Sequence, residues 1–232
     1  GNLLVYGMPL SGKTTFLQTL LASLCSRYTP DQLQVYLMEF GGFGLRTLEC
    51  FPHTGGAAGD DEPEILRKIT GHFLQELERR KQLFRQQGAG SIGALEEAGG
   101  QTPASWILAA DNLNLAGARF PDLVDDLVKI SPEGEAFGLY LAATVTGSNS
   151  PGYQLAQNFK TVMTLQLTDR TEYGSLVGRV TGDIPKPVLG RGLIRGPLEF
   201  QTAIAFSEYR DGQRTAALRQ MAGQMAEAWQ GE

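Results

Sequence analysis

A glycine-rich loop between a short apolar run and an amphipathic segment is the feature that most constrains this fold. Residues 7–14 read Gly-Met-Pro-Leu-Ser-Gly-Lys-Thr and match G-x-x-x-x-G-K-[ST] at every fixed position. The apolar run 3–6 precedes the loop, and in segment 13–26 apolar residues recur at spacings of three and four. The sequence therefore predicts a phosphate-binding loop between a buried strand and a helix.

The chemistry of this loop follows from its residue types. Its glycines let successive backbone N–H groups point at a β-phosphate, and the helix dipole reinforces the attraction. Lys13 supplies a charge to the β- and γ-phosphate oxygens, and the Thr14 hydroxyl is an Mg²⁺ ligand. A chance match in a glycine-rich chain is the alternative, which the strand–loop–helix context disfavours. The predicted nucleotide-binding residues are Gly7, Met8, Pro9, Leu10, Ser11, Gly12, Lys13, Thr14 and Thr15.

A P-loop site needs an acid at the end of a second apolar strand, and Asp111 follows the run 106–110. We predict that Asp111 holds Mg²⁺ through water, the alternative being an aspartate that begins a loop. The next residue is Asn112, at the degenerate catalytic position, and its amide cannot accept a proton from an attacking water. Nucleotide binding survives this change, whereas hydrolysis is expected to be slow. Glu39, which ends the strand 35–38, is either a substitute base or a structural carboxylate.

Apolar runs alternate with amphipathic segments along the chain, which predicts an α/β fold with a mostly parallel sheet covered by helices on both faces. No internal repeat interrupts the pattern, so one domain is expected. The predicted strands are 3–6, 35–38, 106–111, 139–144, 162–167, 192–195 and 200–205. The predicted helices are 13–26, 60–86, 121–130, 170–178 and 213–229, and 41–59 and 88–103 are expected to have little regular structure.

Composition excludes several classes of protein. The 20 Lys and Arg against 25 Asp and Glu give a net charge of −5, which argues against a chain that grips nucleic acid by itself. No apolar run is long enough for a membrane span, and no secretory signal opens the chain. The two cysteines and two histidines are too few for a disulfide scaffold or a histidine metal centre. Because the chain begins directly on an apolar strand, we expect a domain cut from a longer polypeptide.

The chain resembles FtsK/SpoIIIE-type ATPase domains, and more narrowly the repeated ATPase domains of the EssC/EccC protein of type VII secretion systems. Besides the P-loop, the resemblance lies in the order of the stretches 2–7, 15–20, 40–42, 52–53, 78–84, 111–112, 158–159, 177–179, 190–193 and 200–202. It implies a RecA-like P-loop NTPase fold, one ATPase domain over 1–232, and ATP with Mg²⁺ as cofactors. It also implies other ATPase domains of the same chain as partners, and a place on the cytoplasmic side of the bacterial cell membrane.

Departures from the family pattern refine the resemblance. Active members carry an arginine finger after a Glu-Gly turn, but Glu135 stands there; Tyr140 replaces a histidine, and Glu39 an aspartate. The Gln/Asn-Arg-Pro motif is absent from 144–147. With a closing helix and Gly231, this resembles the last, third ATPase domain. The resemblance then implies ATP binding with slow hydrolysis, docking of small helical-hairpin substrates through a C-terminal tail signal, and contacts with secretion-complex membrane proteins.

Two alternatives to this function remain open. A DNA translocase domain of the FtsK kind needs a Glu after Asp111 and an Arg near 135, and both are absent. A docking module with a vestigial nucleotide site is disfavoured by the intact Lys13-Thr14 pair. The basic cluster 79–81 with Arg85 is interleaved with acids, which favours a solvated helix face over DNA contact.

The position of a docking groove is the least constrained prediction. Loops carry recognition in many proteins, so 41–59, 88–103 and 168–182 are candidates. We predict the last of these, with the docking residues Arg170, Tyr173, Leu176 and Val177; the alternative is that the apolar ones pack inward. For the stripe formed by Leu218, Met221, Met225 and Trp229, packing on the domain's own sheet is favoured over a groove for a partner helix.

Overall fold

A mostly parallel eight-stranded sheet forms the centre of the chain. The computed structural model describes residues 1–147, 151–181, 183–205 and 211–229. The strands are β1 (Leu3–Gly7), β2 (Leu33–Glu39), β3 (Thr54–Gly59), β4 (Ser105–Asp111), β5 (Leu139–Thr146), β6 (Thr161–Thr164), β7 (Arg191–Ile194) and β8 (Leu198–Gln201). Their order in the sheet is β3-β2-β4-β5-β1-β6-β7-β8; the β6–β7 and β7–β8 pairs are antiparallel and the other pairs are parallel.

Helices connect the strands. They are α1 (Lys13–Cys25), α2 (Pro63–Gln86), α3 (Ile92–Glu97), α4 (Ala116–Arg119), α5 (Pro121–Ile130), α6 (Tyr153–Ala156), α7 (Arg170–Val177) and α8 (Asp211–Ala228). Shorter 3₁₀ helices span Leu45–Cys50, Leu113–Leu115 and Gly134–Phe137. No helix within the described ranges is both long and apolar enough to cross a bilayer.

Both faces of the sheet are buried, as the near-continuous apolar strands predict. On β2, Val35 and Leu37 pack with α1 and α8, whereas Tyr36 and Met38 pack on the opposite face with α2 and α5. Side chains that alternate along a strand thus fill two separate cores. The predicted α/β class, with helices on both sides of a mostly parallel sheet, is confirmed.

Two segments expected to lack regular structure contain it. Segment 41–59 holds the 3₁₀ helix Leu45–Cys50 and strand β3, whose sequence Thr-Gly-Gly-Ala-Ala-Gly has few of the β-branched or aromatic residues that mark strands. Segment 88–103 holds α3, whose N-cap Ser91 accepts a hydrogen bond from the Ala94 amide. Strand boundaries also differ from the predicted ones, most of all at the ends of β6 and β8, which end at Thr164 and Gln201.

The C-terminal helix α8 packs on its own domain, on the layer over the sheet formed by α1 and the 3₁₀ helix Leu45–Cys50. Leu218 and Ala222 are buried in the core on this face, and Met221 and Met225 pack against it. This agrees with the favoured interpretation of the apolar stripe on α8. Gly231, included in the resemblance, lies outside the described residues.

The basic cluster on α2 is not a solvated face, because Arg80 is only 1% exposed. Its Nε donates to Glu76 at 2.6 Å, and its other nitrogens donate to the carbonyls of Ala104 (2.6 Å) and Phe137 (2.8 Å). These carbonyls precede β4 and β5, so Arg80 ties α2 to the starts of two strands. Arg79 and Lys81 lie in ion pairs with glutamates, which supports neither DNA contact nor a freely solvated cluster.

Replacing Arg80 by methionine is expected to lower the free energy of unfolding by about 3–5 kcal/mol, because it leaves two carbonyls without their donor and weakens the Glu76 pairing. Arg79→Met is the matched control: its side chain pairs with the same Glu76 but is half exposed, so a loss below about 1 kcal/mol is expected. Urea unfolding followed by circular dichroism measures both. Equal midpoints for the two variants would contradict the structural role assigned to Arg80.

Candidate functional site

The predicted phosphate-binding loop lies where the sequence places it, between the end of β1 at Gly7 and the start of α1 at Lys13. Gly12 takes a left-handed conformation with φ of 101° as the N-cap of α1, a geometry that favours glycine. Leu10 also has a positive φ of 64°, and its side chain is 91% exposed at the tip of the loop. The loop thus contains two left-handed residues just before α1 begins.

The loop is closely packed and braced by a distant part of the chain. A Cβ added at Gly7 would lie 2.4 Å from Ser11 Oγ and 3.1 Å from Leu165 Cβ, so a larger residue there would force its neighbours to move. The Gly190 amide, next to β7, donates to the Ser11 carbonyl at 3.1 Å, and the Met8 amide donates to the Gln166 carbonyl at 2.8 Å. These bonds fix the loop's shape from the sheet beside it.

Lys13 is buried in the concave side of the loop, with 6% of its surface exposed. Its Nζ donates to the carbonyls of Gly7 and Met8, each at 3.1 Å. Burial lowers the pKa of Lys13, and the negative charge of Asp111 opposes that shift. A cation is therefore held within a loop whose geometry suits an anion.

Thr14 and Asp111 meet although 97 residues separate them in sequence. Thr14 Oγ1 donates to Asp111 Oδ2 at 2.6 Å, and Thr144 Oγ1 donates to the other carboxylate oxygen. Asp111 is 1% exposed, so these hydroxyls, rather than water, orient it. The Thr144 contact was not anticipated from sequence; a threonine near the end of a neighbouring strand is its only signal.

These residues fit a nucleotide with Mg²⁺. A hydroxyl beside a carboxylate offers the hard oxygen ligands that Mg²⁺ prefers, and Mg²⁺ is often held by one or two carboxylates together with substrate phosphates. The described residues contain no cluster of three or more His, Cys, Asp or Glu that could hold a metal. Ser11 Oγ is buried in the loop without a hydrogen-bond partner among the described residues. A bound phosphate would supply that partner.

Asn112 has a structural environment that differs from that of a catalytic base. Its φ is 54°, and its amide donates to Thr144 Oγ1 at 2.9 Å. Its side-chain nitrogen donates to the Phe40 carbonyl at 3.3 Å, and its oxygen accepts from Thr146 Oγ1 at 3.0 Å. The Asn112 side chain thus links Phe40, which follows β2, to Thr146 at the end of β5.

Glu39 is buried beside Asp111 in the β2–β4 register. Its oxygens accept hydrogen bonds from the amides of Leu45 (2.9 Å) and Arg46 (3.1 Å), at the start of the 3₁₀ helix Leu45–Cys50. Burial raises the pKa of Glu39, the Asp111 charge adds to that shift, and the amide bonds oppose it. These contacts favour the structural carboxylate of the two predicted roles.

Thr15, predicted to contact nucleotide, has a partner that sequence reasoning missed. Its hydroxyl accepts a hydrogen bond at 2.9 Å from Arg214 of α8, 199 residues away. No local pattern marks this arginine, since it comes to the P-loop only through the packing of α8.

The predicted docking residues do not form one surface. Tyr173 and Val177 are buried in the core, and the Tyr173 hydroxyl accepts a hydrogen bond from the Leu167 amide at 2.9 Å. Leu176 is partly buried, and Arg170 is exposed. The inward packing of the two buried residues corrects their predicted docking role. Gly182, in the same predicted segment, lies outside the described residues.

Glu135, at the position that corresponds to the arginine finger of active family members, lies before the start of β5, whereas the P-loop follows the end of the parallel strand β1. It pairs with Lys160 at 3.0 Å. The starts and the ends of parallel strands lie on opposite sides of the sheet. Glu135 therefore lies away from the P-loop of its own chain.

Comparison with known proteins agrees with this geometry. The sequence matches the FtsK/SpoIIIE family over residues 1–227. It is 33% identical over 201 residues to the ESX-1 secretion system protein EccCb1 of Mycolicibacterium smegmatis, covering 83% of this chain and 34% of the relative. It is 30% identical over 195 residues to the ESX secretion system protein EccC of Geobacillus thermodenitrificans, covering 84% of this chain and 13% of the relative. The chain thus spans a minor part of the length of both.

Solved structures of EssC and EccC ATPase domains are also similar to this chain. EssC (ATPases 2 and 3) from Geobacillus thermodenitrificans superimposes with a TM-score of 0.91 at 27% identity, covering 99% of this chain and 44% of that one. EccC (ATPases 2 and 3) from Thermomonospora curvata was solved in complex with a signal sequence peptide. It superimposes with a TM-score of 0.86 at 27% identity, covering 100% of this chain and 43% of that one.

Proposed function

The chain belongs to the FtsK/SpoIIIE family, and on this premise we propose that it is an ATP- and Mg²⁺-binding domain of a type VII secretion ATPase. The observation that carries the proposal is the meeting of Thr14 and Asp111 beside the buried Lys13. A hydroxyl, a carboxylate and an ammonium from separate elements converge there at the N-terminus of α1. That arrangement suits a metal-bound polyphosphate.

Each residue has a defined task in this function. The first amides of α1 lack acceptors within the helix, so they are available to phosphate oxygens. Lys13 neutralises the β- and γ-phosphates, and Thr14 and Asp111 hold Mg²⁺, the latter through water. Bound Mg²⁺ would offset the negative charge of the phosphates. Thr144 keeps the Asp111 carboxylate turned toward Thr14.

Titration of MgATP into the purified chain tests the proposal, with loss of binding on removal of the Lys13 ammonium as its specific signature. Nucleotide that copurifies with the chain, identified by absorbance and mass, would give independent support. Absence of binding at millimolar MgATP would contradict it and favour a docking module with a vestigial site.

The FtsK-type DNA translocase is less well supported. The basic cluster on α2 of this chain forms contacts within the domain, since Arg80 is buried and Arg79 and Lys81 pair with acids. Asn112 and Glu135 also lack the groups that a fast motor needs. We expect no nucleic acid partner.

The relatives suggest a larger setting. EccCb1 and EccC are longer than this chain, and the matched solved chains each hold two ATPase domains. We propose that 1–232 is one such domain, of the last (third) kind, working beside the other ATPase domains of its chain and secretion-complex membrane proteins. Its place would be the cytoplasmic side of the bacterial cell membrane.

Docking of a secreted substrate is a second proposed function, because EccC of Thermomonospora curvata was solved in complex with a signal sequence peptide. The ligand would be the C-terminal tail signal of a small helical-hairpin protein. The buried residues of α7 cannot receive it, but an open groove of about 520 Å³ lies between the edge strand β3 and α2. Tyr36, Ile65 and Ile69 supply its apolar lining, and Lys68 and His72 supply polar groups.

Ile65→Asp is expected to weaken binding of a fluorescent tail peptide about tenfold or more, because a desolvated carboxylate would face an apolar peptide side chain. Leu176→Asp on α7 is the comparison variant and is expected to leave affinity within about twofold. Anisotropy titration measures both, after thermal melts establish that each protein is folded. Weakening by Leu176→Asp alone would return the docking surface to the α7 segment.

A further inference from the structure

An arginine from the C-terminal helix lies against the nucleotide-binding end of α1. Arg214 Nη1 of α8 donates to Thr15 Oγ1 at 2.9 Å. Thr15 is in the first turn of α1, two residues after Lys13. The contact joins parts of the chain 199 residues apart, so it depends on the tertiary fold.

Packing, rather than a long flexible side chain alone, sets the position of this arginine. Four residues further along α8, Leu218 is buried with Leu17 and Leu21 of α1. Near the same edge of α1, Thr19 Oγ1 donates to the carbonyl of Ala203, in the segment before α8. Arg214 is therefore presented to α1 by a helix anchored on the same core.

The chemistry of the site indicates what Arg214 would meet. The P-loop amides surround the α- and β-phosphates, while the lysine reaches the β- and γ-phosphates. A guanidinium carries five N–H donors in a planar fork, so a hydroxyl contact through one nitrogen is compatible with a phosphate contact through the same fork. Lys13 and the Thr14–Asp111 metal site serve the β- and γ-phosphates, so the α-phosphate is the one left for a cation on the Thr15 side of the loop.

We propose that Arg214 is a further nucleotide-binding residue, delivered by α8 and directed at the α-phosphate of a nucleoside di- or triphosphate. The proposal rests on the proposed function, since it needs a nucleotide in the P-loop. It adds that α8 is part of the nucleotide site: its docking raises nucleotide affinity, and bound nucleotide stabilises its docking to the same extent.

Titration of MgATP and MgADP into Arg214→Ala tests this inference, with Arg219→Ala as the matched control on an exposed position of the same helix. We expect Arg214→Ala to weaken both nucleotides about tenfold and by similar factors, because both carry an α-phosphate. Arg219→Ala should leave both affinities within about twofold of wild type. Raising the salt concentration should reduce the gap between wild type and Arg214→Ala.

A second variant separates a direct contact from a merely structural one. Thr15→Val removes the hydroxyl at similar side-chain volume, so a smaller loss than in Arg214→Ala is expected if the guanidinium itself meets phosphate. Equal losses in the two variants, or an Arg214→Ala protein that binds like wild type, would overturn the inference. The proposed function would then stand if wild type binds MgATP and Lys13→Ala does not, and it would fail if wild type binds neither nucleotide.

Discussion

Lys13→Ala is expected to lower the affinity for MgATP at least about a hundredfold, which in a titration at micromolar protein reads as loss of binding. Lys13 is 6% exposed and its Nζ lies inside the loop, so its charge acts on phosphate with little screening by water. Charge-assisted hydrogen bonds are worth about 1.5–3 kcal/mol each, and this lysine reaches oxygens of two phosphates.

The controls for Lys13→Ala follow from its contacts. Nζ also donates to the carbonyls of Gly7 and Met8, so a thermal melt must establish that the variant keeps its fold. Lys129→Ala removes an exposed ammonium on α5 and should bind MgATP like wild type. Unchanged affinity in folded Lys13→Ala would contradict the assignment of the loop as a nucleotide site.

The P-loop half of the site could be predicted from sequence because its signals are local. The glycines, Lys13 and Thr14 lie within eight residues, and their strand and helix follow from apolar periodicity. Asp111 could be predicted because strand ends in a parallel sheet share one edge, and its hydrogen bond with Thr14 agrees with that expectation.

The features that sequence reasoning missed depend on distant partners. Arg80 looks like one of several surface cations, and only carbonyls 24 and 57 residues away explain its burial. Strand β3 is built from small residues that carry little strand preference, and pairing with β2 forms it. Tyr173 and Val177 share a helix side with Leu176, but one-dimensional periodicity does not say whether that side faces solvent or core.

Hydrolysis by the isolated chain is expected to be well below about 1 s⁻¹, the lower end of ordinary enzyme turnover. Asn112 cannot take a proton, and its side chain is engaged by Phe40 and Thr146 at neighbouring strand ends. Glu135, at the finger position, lies away from the P-loop of its own chain and supplies no finger to it, and arginine fingers are worth about 10³–10⁵ in rate where P-loop enzymes use them. ATP binding without fast turnover is the combination that these two residues favour.

Phosphate release measured under saturating MgATP tests this expectation, with Asp111→Ala as the variant that removes the metal-holding carboxylate. Turnover near 1 s⁻¹ that disappears in Asp111→Ala would show that Asn112 does not disable the site. Glu39→Gln tests whether Glu39 is a substitute base or a structural carboxylate. Because the hydrogen bonds from the Leu45 and Arg46 amides make Glu39 a structural carboxylate, loss of its negative charge should leave the slow rate unchanged; the glutamine NH₂ group removes one of the two acceptors, so a thermal melt must establish that the variant is folded. If the rate instead falls with Glu39→Gln while MgATP affinity is retained, the buried carboxylate, whose pKa is raised by burial, is the proton acceptor that Asn112 cannot be.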